Sequence, residues 1–335
     1  MWPTIQTSRT LSKLPLLAVG LALLQPAQAS DDWLLSMSQA VRARNYQGVL
    51  VYATGGEMRS LRIVHRFQNG REQERLQSLT GEAREVLRDN EVVTCIHPKN
   101  QRVMVDRREL QGLLKSVTEL ASSELEPYYE IREEPSAQLI ERTCRVVVLA
   151  PRDAYRYGYR IWADEETALP LRIELLGPGN ALVEQIMFTQ IEYPETIPDS
   201  ALMPAVDPSK FEWTRHDPQD GVILGASTGG QWQVRKLPPG FRLVGHQRRQ
   251  SPDQRLPTEH LLFSDGLTSV SVFVAPEQEG QSRFKGVSQM GAVHAYGRSL
   301  DRYHISVVGE VPKATVELIG NALVRDGAAA AAASP

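Results

Sequence analysis

The sequence is poor in the residues from which most catalytic and metal sites are built. It has two cysteines and seven histidines among 335 residues. It contains no Cys-x-x-Cys pair, no His-Glu-x-x-His motif and no phosphate-binding loop ending in Gly-Lys-Ser/Thr. None of the histidines has a partner at metal-ligand spacing; they lie at positions 65, 97, 216, 246, 260, 294 and 304. We therefore expect a protein that is not an enzyme, with no catalytic residues, metal site or cofactor.

Long apolar runs are also scarce. The longest, Leu14–Leu24, has 11 residues, follows Arg9 and Lys13, and precedes the small-residue sequence Ala27-Gln28-Ala29. A run of this length is too short to span a bilayer and is typical of a secretory signal. We expect residues 1–29 to be a signal peptide and the mature chain to be exported. An uncleaved anchor is the alternative.

The cysteine pair leaves two possibilities open. Cys95 and Cys144 both lie in strand-like runs, and an exported protein with an even number of cysteines often contains a disulfide. Closing a loop of this size would stabilise the fold by at most about 4 kcal/mol. The alternative is two buried free thiols.

The charge balance excludes a nucleic-acid-binding protein. Lysine and arginine number 37 against 40 acidic residues, whereas such proteins carry a strong basic excess. Residues 221–326 are modestly basic, with 12 lysines and arginines against 9 acidic residues. Their densest basic patch contains Arg242, Arg248 and Arg249. Because arginine binds carboxylates and phosphates through paired donors, these residues are candidate contacts for an anionic partner. An ordinary charged hairpin is the alternative.

Periodicity predicts an α+β fold with two domains. Residues 30–48 favour a helix, and alternation predicts strands at 59–67, 72–79, 83–88, 91–97 and 101–106. The spacing then changes to that of an amphipathic helix over 109–125, whose apolar stripe includes Leu113 and Val117. Strands are expected near 128–133 and at 140–150. We expect a curved antiparallel half-barrel crossed by these helices over residues 30–193.

The stretch 151–193 is the centre of this predicted sheet. Tyr155, Tyr157 and Tyr159 alternate with polar residues, which predicts a strand with an aromatic face. Two further strands follow, separated by turns with strong breaker residues. A sheet with an apolar concave face and partial helical cover suits an acyl chain or an extended peptide. Leu113, Val117, Trp162 and Phe188 are the candidate lining residues of such a cavity.

The remaining chain predicts a linker, a smaller domain and a tail. Residues 194–220 are rich in proline, aspartate and serine and indicate a linker or wrap-around segment with a hinge. Residues 221–326 predict a smaller antiparallel sheet, with strands at 232–234, 242–249, 260–264, 268–274, 291–297 and 303–308 and a final helix after Pro312. A glycine-rich loop is expected before residue 291. Residues 327–335 are expected to be a disordered tail.

Several short motifs, taken in order, resemble the MucB/RseB family of periplasmic regulators. They are the PRD at 151–153, the RYG at 156–158, the LPPGF at 237–241, the SDGL at 264–267 and the VVGEVP at 307–312. One departure is Ala168, where the family pattern leads us to expect glycine before Leu-Pro-Leu.

This resemblance implies a function and a set of partners. The first domain would be similar to the LolA/LolB lipoprotein carriers and would sense lipid. The protein would bind the periplasmic part of a MucA/RseA-like membrane anti-sigma factor, protect it from site-1 proteolysis, and be released by lipopolysaccharide or mislocalised lipoprotein. The resemblance leaves room for a homo-oligomer. The alternative function is a periplasmic carrier of lipid or lipoprotein.

Overall fold

The fold is α+β, with a large and a small antiparallel sheet, as the sequence predicts. A computed structural model describes residues 27–106, 125–216, 232–249, 258–277 and 284–325; the side chains of 27–32, 106, 216 and 249 are outside this description. The predicted signal peptide up to residue 26, the predicted helix at 109–125 except for its last residue, and the tail at 327–335 lie outside the described residues. No helix of the described part is both long and apolar enough to cross a membrane.

The large sheet has 12 strands in the order β12-β6-β5-β4-β3-β2-β1-β11-β10-β9-β8-β7. All neighbours are antiparallel except β12, which runs parallel to β6. The strands are β1 (Tyr46–Thr54), β2 (Glu57–Gln68), β3 (Arg71–Ser78), β4 (Glu85–Asp89), β5 (Val92–His97), β6 (Arg102–Asp106), β7 (Tyr129–Leu139), β8 (Arg142–Pro151), β9 (Gly158–Asp164), β10 (Pro170–Leu176), β11 (Leu182–Glu192) and β12 (Glu212–His216).

The predicted strands between residues 57 and 106 are confirmed. The Asn69-Gly70 turn between β2 and β3 has positive φ at both residues, as a two-residue hairpin requires. Strand β7 continues to Leu139, beyond the predicted strand at 128–133. Gly48 does not end a helix as predicted. It lies within β1, where a Cβ would clash with the backbone oxygen of Gln190 in β11.

One helix lies across the large sheet within the described residues. Helix α1 (Ala27–Ala43) contacts both β2 and β7, which are separated by five strands in the sheet order. Its buried residues Leu34, Met37 and Val41 repeat at helical spacing and join the core with Leu50, Phe188 and their neighbours. The apolar face of this helix therefore covers the core on one face of the large sheet.

The predicted strand at 155–162 is shorter than expected. Strand β9 begins at Gly158, and residues 152–157 form an irregular connection from β8. Tyr155 and Tyr157 therefore do not form one aromatic strand face with Tyr159. The alternation of this stretch was misleading, because the side chains from 155 to 157 are ordered by contacts with the second domain, described below.

Ala168 adopts the backbone conformation that glycine prefers. Its φ is +61°, in the turn between β9 and β10, and its N–H donates to the carbonyl of Asp164 at 2.8 Å. A left-handed conformation costs an L-residue with a Cβ about 1–2 kcal/mol. This finding explains why a glycine is expected before Leu169.

Replacing Ala168 by glycine is expected to stabilise the protein. Relief of the left-handed strain exceeds the extra entropy of the unfolded chain, so we expect a gain of about 0.5–1 kcal/mol in the free energy of unfolding. Ala181 is the matched control, because it is exposed and has an ordinary φ of −64°. Ala181→Gly should lower stability by up to about 1 kcal/mol. Urea unfolding of both variants checks this, and equal losses would contradict it.

The segment after β11 is fixed to the large sheet. Arg66 donates to the carbonyl of Ile197 at 2.8 Å and pairs with Asp199 at 2.7 Å. The N–H of Ala205 lies 3.1 Å from both carboxylate oxygens of Glu85. The segment then adds β12 to the sheet edge. Residues 194–216 therefore wrap around the first domain rather than forming a free hinge, while 217–220 lie outside the described residues.

The small domain is a six-stranded sheet with one helix. Its strand order is β14-β15-β16-β19-β18-β17, and a separate pair joins β13 to β20. Helix α2 (Lys313–Ala322) packs on β18 and β19. The strands are β13 (Trp232–Val234), β14 (Arg242–Arg249), β15 (Thr258–Ser264), β16 (Ser269–Pro276), β17 (Gly286–Met290), β18 (Val293–Leu300), β19 (Tyr303–Gly309) and β20 (Leu323–Arg325).

The sequence predicts this domain apart from β17 and β20, the second of which directly follows the final helix. The glycine-rich loop expected before residue 291 was partly wrong, because residues 286–290 form an edge strand. The strand is almost wholly exposed and therefore has no alternation of buried residues to reveal it. The final helix follows Pro312 as predicted, and Val316 and Ile319 are fully buried against the sheet.

Candidate functional site at the domain interface

The loop 152–157 joins the two domains. Arg156 forms an ion pair across the interface with Asp265, at 3.0 Å between Nη1 and Oδ2. Its Nη2 also donates to the carbonyl of Pro239 at 2.6 Å. Both charged side chains are only 1% exposed. A buried ion pair is tolerated only when its remaining hydrogen-bonding groups are also satisfied.

Every part of this buried pair has further partners. Asp153 contacts the Arg156 guanidinium from within the loop, and the other oxygen of Asp265 accepts from the N–H groups of Leu267 and Thr268 at 3.0 Å. Aromatic rings enclose the guanidinium, and Tyr128 is the nearest, at 4.5 Å from its centroid. Tyr129 and Phe241 lie slightly further away. Such rings favour a cation from which water is excluded.

Tyr157 makes the second buried contact across the interface. Its hydroxyl donates to the carbonyl of Ala292 at 2.9 Å and lies 3.2 Å from Nδ1 of His294. That nitrogen is 2.8 Å from the carbonyl of Val311, so it carries the proton. Burial raises the pKa of Tyr157 above its usual range, with the acidic Glu310 and Glu184 adding to the effect. The hydroxyl therefore remains a donor at physiological pH.

Two glycines allow the second domain to approach the first closely. Gly240 has φ +82°, and a Cβ there would lie 2.6 Å from the ring of Tyr128. Gly291 has φ +58°, and its Cβ would lie 2.5 Å from Oγ1 of Thr54. Any other residue would be strained at both positions, and its Cβ would collide with Tyr128 or Thr54 unless those side chains shifted.

A cleft of about 1130 Å³ lies between the domains beside these contacts. Its rim is apolar and open to solvent, since Leu182 is 55% exposed and Met290 is 80% exposed. Charged residues from both domains also line it, including Glu57, Arg59 and Lys313. An exposed apolar surface bordered by charge is typical of a site for another macromolecule or a ligand.

Glu184 connects the cleft to the interface. Its carboxylate accepts from Oγ1 of Thr54 at 3.1 Å and from the N–H of Ala292 at 3.0 Å. Burial, followed by this carboxylate, raises the pKa of Tyr52 above its usual range. The first domain therefore presents Glu184 to a backbone group of the second, which fixes the hairpin of β17 and β18 against the cleft.

The predicted lipid-cavity residues are not brought together. Leu113 and Val117 lie outside the described residues. Across the strand pairs, Trp162 lies opposite Arg172, and Arg172 lies opposite Met187, so these three share one face. Phe188 follows Met187 along β11. Trp162 and Phe188 therefore face opposite sides of the sheet. The prediction that both line one cavity was wrong, because it considered each strand alone and not the register between strands.

Phe188 and Trp162 have different surroundings. Phe188 is 1% exposed and packs edge-on against Tyr46 in the core. Trp162 is half-buried on the other face, where the guanidinium of Arg172 lies 4.4 Å from its ring centroid. Phe188 is a buried member of the core that contains residues of α1, whereas Trp162 is only partly buried against that core.

Of the two possibilities left open for Cys95 and Cys144, the disulfide is absent and the buried free thiols are present. Both are buried free thiols, on β5 and β8, and seven strands lie between these two in the sheet order. A disulfide requires Cα atoms within about 7 Å. Burial raises the pKa of the Cys144 thiol to about 11, so this side chain remains protonated.

The predicted basic patch lies on an edge strand. Arg242 and Arg248 are both exposed on β14, and the side chain of Arg249 lies outside the described residues. In the register between β14 and β15, Arg242 lies opposite Ser264 and Arg248 lies opposite Glu259. A bulge between Leu243 and Gly245 separates the two arginines. Because of the bulge, the two arginines project to opposite faces of β14. Their role as contacts for an anionic partner stays a prediction.

The family motifs, and not a catalytic or metal cluster, mark this site. Among the described residues, no group of three or more acidic, histidine or cysteine side chains could hold a metal ion. Sequence reasoning placed Arg156, Tyr157, Asp265 and His294 in ordinary strands or turns and missed their meeting. The available signal was the order of the motifs: RYG, LPPGF, SDGL and VVGEVP each contribute a residue to this interface.

Comparison with known proteins gives the family. The sequence model of the MucB/RseB N-terminal domain matches residues 29–206, and that of the C-terminal domain matches residues 226–324. The chain belongs to the MucB/RseB family. The family's named members are regulatory proteins of sigma factors, so the role of this family is regulation.

Individual relatives agree over nearly the whole chain. The sigma factor AlgU regulatory protein MucB of Pseudomonas aeruginosa is 30% identical over 325 residues, which cover 94% of this chain and 98% of that protein. The sigma-E factor regulatory protein RseB of Escherichia coli K12 is 27% identical and covers 87% of this chain and 89% of its own length.

Solved structures of MucB share this fold. The P. aeruginosa MucA/MucB complex aligns with a TM-score of 0.69 at 26% identity, covering 90% of this chain and 100% of that chain. MucB alone aligns with a TM-score of 0.59 at 27% identity, covering 90% and 98%. The similarity to these MucB/RseB structures extends over both domains.

Proposed function

We propose that this protein is a negative regulator of an envelope-stress sigma factor and acts by binding the periplasmic domain of a MucA/RseA-like anti-sigma factor. The observation that carries the proposal is the alignment of both domains with MucB from the MucA/MucB complex. The interdomain cleft supports it, because its apolar, charged rim suits a peptide segment.

Binding would control proteolysis of the partner. A segment bound in the cleft or on the exposed β14 edge is unavailable to a protease, so the bound anti-sigma factor is protected from the first cleavage. Arg242, Arg248 and Arg249 are the proposed contacts for acidic groups of the partner. Release follows from linkage: a ligand that prefers the unbound conformation lowers the affinity for the partner by the ratio of its own two affinities. Lipopolysaccharide and mislocalised lipoprotein are the proposed ligands.

The proposed location is the periplasm. The charged start, the 11-residue apolar run and the Ala27-Gln28-Ala29 sequence support export. The proposed partner presents its regulated segment in the same compartment. A lipid or lipoprotein carrier remains the alternative function, and a transfer assay between membranes separates it from a regulator, which would bind lipid without delivering it.

The deciding experiment is calorimetric titration of residues 30–335 with the periplasmic domain of the MucA-like anti-sigma factor of the same organism. We expect one site with an affinity of about 1 μM or tighter, corresponding to about −8 kcal/mol. Adding lipopolysaccharide should weaken it. Binding that lipopolysaccharide does not weaken would contradict lipopolysaccharide as the release signal, but it would still support the proposed regulatory function. No binding in either condition would overturn the proposed function in favour of the carrier.

A further inference from the structure

Three consecutive residues carry most of the polar contact between the domains. The carbonyl of Tyr155 accepts from Oγ1 of Thr315 at 2.6 Å at the start of α2. Arg156 and Tyr157 follow with the contacts described above, to Asp265, Pro239, Ala292 and Val311. One short loop of the first domain thus reaches five residues in four segments of the second.

The apolar part of this interface is small. One buried cluster contains Tyr157, Leu175 and Ala292, and Leu267 of the second domain is also buried in the core of the first. Each domain otherwise has a much larger core of its own. Interfaces between domains of one chain that are small and polar resemble transient protein–protein contacts. Apart from Leu267, each domain can therefore keep its own core when the interface separates.

The charged pair makes closure specific and reversible. Taking Arg156 and Asp265 out of water costs free energy that offsets most of their mutual attraction. When the domains separate, both groups recover their hydration, so opening is less costly than the short distances suggest. Closure still requires one relative orientation, because the two guanidinium nitrogens must meet both Asp265 and the carbonyl of Pro239.

Other residues of the same interface form one end of the cleft. Tyr157, His294 and Pro312 line it, and Tyr157 and His294 also make the buried interface hydrogen bonds. The segment up to residue 216 is fixed on the first sheet, and β13 of the second domain begins at Trp232.

We infer that residues 155–157 are a reversible latch, which holds the two domains closed around the cleft and couples closure to binding of the partner. This inference rests on the proposed function for the identity of the partner, but not for the latch itself. Ligands that favour the open arrangement would release the partner, and ligands that favour the closed arrangement would retain it.

The test uses the chain 30–335 with Arg156→Ala, Asp265→Asn and the double variant. Asp265→Asn keeps an oxygen for the N–H groups of Leu267 and Thr268, so the local turn is preserved. The matched control is Arg152→Gln, because Arg152 lies in the same loop but donates only to carbonyls of its own domain, at Glu126 and Tyr129. Small-angle scattering measures opening without any partner, and calorimetry measures affinity for the anti-sigma periplasmic domain.

We expect both single variants to increase the radius of gyration and to weaken binding about tenfold or more, which corresponds to about 1.4 kcal/mol. The double variant should be no more open than Arg156→Ala, because the two residues form one unit, and Arg152→Gln should match the wild type. If circular dichroism shows that Arg156→Ala does not fold, Asp265→Asn and Tyr157→Phe decide the question.

Each of the other possible results contradicts a specific part of the proposal. Unchanged scattering in the variants overturns the latch. Opening with unchanged affinity overturns its coupling to binding. A wild-type chain that binds no anti-sigma segment overturns the proposed function and the coupling together, while the scattering still decides whether the latch closes the domains.

Discussion

Glu85→Ala is expected to lower the free energy of unfolding of the first domain by about 3–5 kcal/mol. Glu85 is 3% exposed and pairs with Arg75 at 2.9 Å. It also accepts the N–H of Ala205, and Arg75 donates to the carbonyl of Ala201 at 3.3 Å. Alanine would leave a buried guanidinium without its counter-charge and a backbone N–H without an acceptor. Chemical unfolding followed by circular dichroism measures the loss.

The same two strands provide the control. Arg71 and Asp89 also pair between β3 and β4, but both are exposed. Because solvent screens such a pair, Asp89→Ala should change stability by about 1 kcal/mol or less. The Arg71 hydrogen bond, which dominates here, holds the pKa of Asp89 below its usual value. The small contribution of this ion pair to the free energy of unfolding is therefore present at neutral pH. It is lost as the pH falls through the pKa of Asp89 in the folded state.

A second readout follows the wrapped segment. Without Glu85, residues 197–205 lose one of their attachments to the sheet, so limited proteolysis should cut there earlier than in the wild type or in Asp89→Ala. Equal stability losses for Glu85→Ala and Asp89→Ala would show that burial of the pair has no special importance. An unchanged cleavage pattern would show that Glu85 does not fix the segment.

The local pattern was sufficient for most of the first sheet. Strands β2 to β6 are consecutive in the sheet and connected by turns such as Asn69-Gly70, so neighbours in sequence are neighbours in space. The pairing of β1 with β11, which brings the two halves of the sheet together, joins Gln47 to Glu192 and is not local. Alternation predicts both strands but does not determine that they pair.

The interface could not be predicted from the local sequence, because the conformation of residues 155–157 depends on contacts with the second domain. Residues 155–161 alternate as a strand would, yet Tyr157 and Arg156 find their partners more than 80 residues later in the chain. The family motifs marked these positions without explaining them. The motif residues occur at these positions because they make the contact between the domains: a buried cation, a buried hydroxyl and two glycines at positive φ meet there.

The register between strands explains the failure of the predicted cavity. Shifting one residue along a strand reverses the face on which a side chain lies. Phe188 follows Met187, which shares its face with Arg172 and Trp162. A cavity lined by both Trp162 and Phe188 would therefore need a change of register in β9, β10 or β11. Any lipid site of this protein has to be sought on one face at a time.

Phe188→Ala distinguishes a packed core from an open cavity. Phe188 is 1% exposed and contacts Tyr46 with ring centroids 6.4 Å apart. Removing a fully buried ring leaves a void that the neighbours only partly fill, so we expect a loss of about 3–5 kcal/mol in the free energy of unfolding. Urea unfolding monitored by circular dichroism measures it.

Phe273 is the matched control in the second domain. It is 40% exposed on β16 and stacks on His260, so Phe273→Ala should cost about 1 kcal/mol or less. If Phe188 instead lined a cavity already open to a ligand, its removal would enlarge an existing space and the loss would also be about 1 kcal/mol. A large difference between the two variants therefore places Phe188 in the packed core. A lipid-binding face would then have to lie elsewhere, and the interdomain cleft, with its exposed Leu182 and Met290, is the apolar surface to examine next.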